Sequence, residues 1–129
     1  MAQIKIYGLK ENINKNRKAI SKAIHDSVIT ALEYPVEKKF HRFISLEKEN
    51  FIFSKERTDN YIIIEISMFE GRSKAAKKKL IQTIFTNIKN QASIHPNDVE
   101  ITIIETPKEN WGIRGFCGDE LKLKYKVDV

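Results

Sequence analysis

One order of patterns occurs twice in this chain: a β-type apolar run, a long helical stripe closed near a proline, and another β-type run. In the first pass, Ile4-Lys5-Ile6-Tyr7 alternates and stops at Gly8, which predicts a strand. Ile20, Ile24, Val28 and Ala31 then recur at helical spacing and predict a helix over about Asn14 to Glu33. Tyr34-Pro35 ends it, because the residue before a proline is pushed out of the helical region. Phe40 to Leu46 reads as the next strand, with Phe51 to Phe53 a short one after the turn Glu47-Lys48-Glu49-Asn50.

In the second pass, Tyr61 to Met68 is apolar almost without alternation, the pattern of a strand buried on both faces. Gly71-Arg72-Ser73 interrupts the chain and offers Ser73 as a helix N-cap. Leu80, Ile84, Ile88 and Ala92, with Ile81 and Phe85 beside them, form the stripe of a second helix that ends by His95-Pro96. Asp98 to Glu105 is a strand with Ile101 and Ile103 on one face. Leu121, Leu123, Tyr125 and Val127 alternate with lysines in a final strand suited to an exposed edge.

Pro35 and Pro96 stand 61 residues apart (96 minus 35), an offset that lays Ile20 on Ile81 and Ile24 on Phe85. The expected fold is a single α/β (α+β) domain over 1–129, with half-repeats of about 1–60 and 61–129. Two right-handed β-α-β units share one four-stranded sheet, with both helices on one face. The other face needs a cover, and a second subunit in closed cyclic symmetry is the expected one. Ferredoxin-like RNA-recognition modules share this element order, and Phe40, Phe43, Phe51 and Phe53 on strands of a basic chain fit that class. Their glycine-containing aromatic string is missing, however, which argues against nucleic acid as a partner.

The net charge of +6 suits small anionic ligands, and solubility alone explains it equally well. The chain has no apolar run of membrane-spanning length and no secretory pattern at its start, so cytosol is the expected compartment and no membrane partner is expected. The single cysteine, Cys117, lacks any ligand spacing, and His25, His41 and His95 are scattered, so no metal site is expected.

Three stretches carry a family resemblance. Pro107-Lys108-Glu109-Asn110-Trp111-Gly112-Ile113-Arg114-Gly115 resembles the segment after the last core strand in relatives of 4-oxalocrotonate tautomerase. Met68-Phe69-Glu70-Gly71-Arg72-Ser73 is similar to the turn that opens the helix in that superfamily, and Asp98 to Glu105 to the strand before the tryptophan. The double-length chain resembles the malonate semialdehyde decarboxylase branch, whose members form trimers.

That resemblance implies an N-terminal proline, freed by loss of the initiator methionine, acting as a base on a proton alpha to a carbonyl, or as an acid or electrophile in related branches. An α-amine titrates near 7.7 to 8.0 in its ordinary state, close to neutral pH, and burial lowers it further. This chain has Ala2 at the proline position, and the start of its second half falls near Ile62. By the same resemblance Arg72 is the arginine that holds a carboxylate or enolate, and Trp111 shapes the pocket wall. Arg114, where the family more often has glycine, is a further substrate-binding candidate. Lys38 stands where the decarboxylase branch has an acid, and Glu100 where short members have a second arginine. The implied partners are a small anionic carbonyl acid and two further copies of the chain; no cofactor is implied. Two functions follow: proton transfer through the Ala2 amine, or a catalytically inactive trimer binding a small anion or a protein.

Overall fold

The computed structural model describes residues 2–121. Its elements run β1 (Ala2–Leu9), α1 (Lys10–Leu32), β2 (His41–Leu46), β3 (Ile62–Phe69), α2 (Lys74–Ala92) and β4 (Val99–Thr106), followed by a small hairpin of β5 (Gly112–Ile113) and β6 (Phe116–Cys117). The four long strands form one sheet in the order β2-β1-β3-β4. Within each half the strands are parallel, as a helical crossover requires, and the halves meet along the antiparallel pair β1 and β3.

Alternation decides which face is core. Ile4, Ile6, Ile62, Ile64, Ile66 and Met68 point to the helices and are buried, while Lys5, Tyr7, Ile63, Glu65 and Ser67 between them are half-buried. Against these isoleucines pack Ile20, Ile24 and Val28 from α1 and Leu80, Ile84 and Ile88 from α2. Each such side chain contributes on the order of 1.5–3 kcal/mol on burial. The expectation that Tyr61 to Met68 is buried on both faces is therefore corrected for the chain taken alone, because Ile63, Glu65 and Ser67 turn away from the core. On that second face Tyr7 donates to Glu65 at 2.9 Å, Lys5 lies 4.0 Å from the same carboxylate, and Ile104 is exposed. No helix covers it among the described residues.

Strand register also corrects the repeat by one residue. Ile4 through Leu9 pair with His41 through Leu46, and Ile64 through Phe69 pair with Ile101 through Thr106, so the halves superpose at an offset of 60 (64 minus 4). Ile20 thus corresponds to Leu80 and Ile24 to Ile84, whereas Ile81 and Phe85 lie at the half-buried margin. The prolines mislead because they do different work. Both helices end on a left-handed residue at the new offset, Glu33 and Ser93, but Pro35 opens an irregular link while Pro96 starts a 3-10 turn. Ser27 and its counterpart Asn87 touch between the helices, amide to hydroxyl at 2.9 Å, as positions near a two-fold axis should.

Two elements differ from expectation, and a third falls largely outside the described residues. α1 begins at Lys10 rather than near Asn14: the strand runs straight into the helix through Leu9, with no capping side chain to mark the start. Phe51 to Phe53 is not a strand, because its aromatics are spent on a cluster with Tyr61 at ring distances of 5.2, 5.4 and 5.0 Å. The final strand expected at Leu121 to Val127 lies, from residue 122 on, outside the described residues. Ser73 does cap α2, its hydroxyl accepting from the Ala76 amide at 3.1 Å.

Candidate functional site

The antiparallel pair places the start of the chain beside the end of the third strand, Ala2 opposite Met68. Beyond Met68 the chain turns through Gly71, whose φ of 129° is one that side-chain-bearing residues rarely adopt, and delivers Arg72 just ahead of the Ser73 cap. Arg72 is only 5% exposed and donates to the Phe69 carbonyl at 3.3 Å. A buried guanidinium with a fixed fork is suited to pairing a carboxylate or enolate oxygen. Ala2 is 3% exposed, and its N–H donates to the Tyr34 hydroxyl at 3.1 Å.

The wall of this end is built by the tryptophan segment. Trp111 meets Phe69 edge to face at 5.2 Å, and its indole N–H donates to the Thr106 hydroxyl at 2.7 Å. Gly118 lies beneath it: its amide donates to the Trp111 carbonyl at 2.7 Å, and a Cβ at that position would strike the Lys108 carbonyl. Glu105, which pairs with Met68 across the sheet, is held by Lys77 at 2.7 Å.

Ala2, Arg72 and Trp111 are thus brought to one end of one sheet within a single chain. Lys38 stands at the same end, in the link before β2 whose Phe40 carbonyl accepts from the Ile4 amide at 3.0 Å. Near it a cavity of about 410 Å³ is lined by Gln3, Lys39, Phe40, His41 and Arg42, with cations at its rim. Arg114 is set apart, exposed at the tip of the β5-β6 hairpin with a φ of 52°. A left-handed turn position explains why glycine is common there in the family that this segment resembles. Glu100 lies toward the opposite end, paired with Arg57 at 3.1 Å; its hydrogen bonds from Tyr61 and Arg57 hold its carboxyl below the usual range.

Sequence reasoning missed Tyr34, which it used only to end the first helix. Its spacing of three from Ala31 in the buried stripe was the available signal. Among the described residues, Cys117, Asp119 and Glu120 have ligand atoms within 4.8 Å of one another, but all three are exposed on the hairpin and no histidine joins them.

Two β-α-β halves sharing one four-stranded sheet, with a buried arginine on the turn that opens the second helix, define a class of small α/β proteins. A family model described as "Tautomerase enzyme" matches residues 38–114, and the chain belongs to that family. It is 28% identical over 97 residues to the probable tautomerase YusQ of Bacillus subtilis, covering 71% of this chain and 76% of that one. It is 39% identical over 57 residues to the 2-hydroxymuconate tautomerase of Pseudomonas putida, covering 44% of this chain and 90% of the relative. Among solved structures, malonate semialdehyde decarboxylase shares the fold at a TM-score of 0.81 and 16% identity, over 92% of this chain and 99% of that one. Native fused 4-OT does so at 0.79 and 14%, over 92% and 98%; a wild-type fused 4-OT is described as a symmetric trimer.

Proposed function

We propose that this protein is a cofactor-independent, tautomerase-type catalyst of proton transfer on a small carbonyl acid, with the α-amine of Ala2 as its base. The observation that carries the proposal is the burial of the Ala2 nitrogen at the sheet end that also holds Arg72 and Trp111. Once Met1 is removed, a buried primary amine titrates below its ordinary range and is largely neutral at working pH. It takes the proton alpha to the carbonyl, Arg72 takes up the negative charge developing on the enolate oxygen, and the amine returns the proton to the neighbouring carbon. The same amine can instead add to the carbonyl carbon and expel water to form an imine. Trp111 closes the pocket, and Lys38, with Arg114 on its hairpin, supplies cationic attraction for the substrate carboxylate. The sheet face that no helix covers among the described residues, and a fused 4-OT of the same fold described as a symmetric trimer, support a homotrimer; the cytoplasm is its proposed compartment. Light scattering at three protomer masses is the expected result.

The deciding assay follows the ultraviolet change as phenylenolpyruvate or 2-hydroxymuconate is converted from enol to keto form, on protein whose intact mass shows Met1 removed. Turnover supports the reading. A flat trace from protein with a free Ala2 amine sinks it. Ala2 itself favours a second reading, a trimer that binds a small carbonyl acid without turning it over. That version predicts a ligand-dependent rise in Tm with no chemistry, and melting indifferent to a panel of keto acids excludes it.

A further inference from the structure

We infer that Tyr34 is a positioning residue for the chain-terminal amine, an inference that rests on the proposed role of Ala2. The phenol is 4% exposed and its oxygen lies 3.1 Å from the Ala2 nitrogen, so a polar atom is carried into the buried cluster that also holds Ala2, Ala31 and Met68. A buried hydroxyl placed against a nitrogen offsets part of the cost of bringing that nitrogen out of water.

The other half of the molecule supplies the control. At the offset of 60, Tyr34 corresponds to Ile94 and Ala2 to Ile62, whose nitrogen remains a peptide nitrogen when removal of Met1 turns that of Ala2 into an amine. Ile94 is fully buried and has no hydroxyl. The repeat therefore carries a polar side chain only at the copy where the chain begins. The hydroxyl accepts the backbone N–H of Ala2.

Acceptance of an N–H is stronger from an ammonium than from a neutral amine, so the hydroxyl favours the protonated form while burial opposes it. The charged groups of this end are Arg72 on the turn, the Lys77–Glu105 pair between α2 and β4, and Lys38 and Lys39 before β2. All of them stay in place when the hydroxyl alone is removed.

The test uses full-length protein released from a leader whose cleavage leaves Ala2 first, so that a free amine is guaranteed. Labelling with 13C-alanine, and assignment by Ala2→Gly, lets the Ala2 methyl resonance report the amine titration directly. Tyr34→Phe keeps the ring, and the inference expects the amine midpoint to fall by about half a unit or more in a variant that still folds cooperatively at a modestly lower Tm. Tyr34→Met, a second variant without the hydroxyl, should shift it the same way. An unchanged or raised midpoint in a folded variant overturns the positioning role. Turnover measured on the same samples separates the two ideas. A shifted midpoint in an inactive wild type keeps Tyr34 and discards the catalyst, whereas an active wild type with an unmoved midpoint does the reverse.

Discussion

The two ends of the sheet are built from the same plan and have been given different chemistry. At one end stand Ala2, Phe69, Arg72, Thr106 and Trp111; at the offset of 60 the other has Ile62, Leu9, Asn12, Leu46 and Phe51. Even the backbone agrees, for Lys48–Asn50 and Lys108–Asn110 are matching 3-10 turns of identical sequence. At the second end Asn12 is buried in the place of Arg72, but its amide donates to the Asn60 carbonyl at 3.0 Å, and Phe51 is stacked on Tyr61. Lys10 and Lys48 there are matched by Glu47 and Asp59 at 3.8 and 3.3 Å. A cavity of about 460 Å³ lies at that end, lined by Leu9, Asn12, Leu46 and Asn60 among others. What separates the ends is a buried cation: Arg72 stands where the other end has Asn12. One end carries a buried arginine and a tryptophan, and the other closes the corresponding corner with hydrogen bonds and aromatic packing.

Several substitutions sharpen or break this contrast. Apart from loss of Arg72, the largest change expected is a gain. Ala2→Pro, made with Met1 removed, restores a more basic secondary amine at the reactive end and should raise enol-to-keto turnover at least about tenfold; an unchanged rate would mean that the amine is not the base. Gly118→Ala drives a methyl into the Lys108 carbonyl beneath Trp111. It should cost about 2–3 kcal/mol and redden tryptophan fluorescence, while Thr58→Ala at the matching position leaves that emission unmoved.

His41 should make stability pH-dependent. Its counterpart is Ile101, and it sits half-buried with Nδ1 2.8 Å from the Ser21 hydroxyl. Burial, with help from Lys39 and His25, lowers it from 6.5 to about 4. The unfolded chain then binds the extra proton between those values, so stability present above pH 6.5 is lost as pH falls toward 4, by about 2 kcal/mol. His41→Asn should flatten the Tm profile in that window, and an unaltered slope would contradict the assignment. The smallest effect is at the hairpin tip, where Arg114→Gly relieves the left-handed backbone and should raise stability by about 0.5 kcal/mol, read from a denaturant midpoint.

Most of the architecture was legible because burial imposes periodicity. The isoleucine alternation in β1 and the four-residue stripes of both helices follow from having one core face. The phase of the repeat was legible too, in Lys48-Glu49-Asn50-Phe51 against Lys108-Glu109-Asn110-Trp111, but the prolines were the louder and less faithful marker. They lie in links, whose lengths are not tied to the sheet, whereas the matched turns follow strands directly. Arg72 and Trp111 could be found through the strings around them. For Tyr34 the spacing from Ala31 signals burial but not its partner, because the contact with Ala2 spans 32 residues between a helix end and the start of a strand. Local pattern carries no record of such a pairing. Glu100 likewise reads as a missing arginine in the sequence, and only the fold shows it matched with Arg57 and Tyr61 away from the Ala2 end.

The contrast between the ends is tested most directly by assaying Arg72→Ala and Asn12→Ala side by side with the wild type for ketonisation of phenylenolpyruvate, each with Met1 removed and each checked for folding. The account predicts a loss of about a hundredfold or more for Arg72→Ala and wild-type turnover for Asn12→Ala, whose cost of about 1 kcal/mol should fall on stability alone. Equal rates in the wild type and Arg72→Ala, or a loss confined to Asn12→Ala, would contradict it.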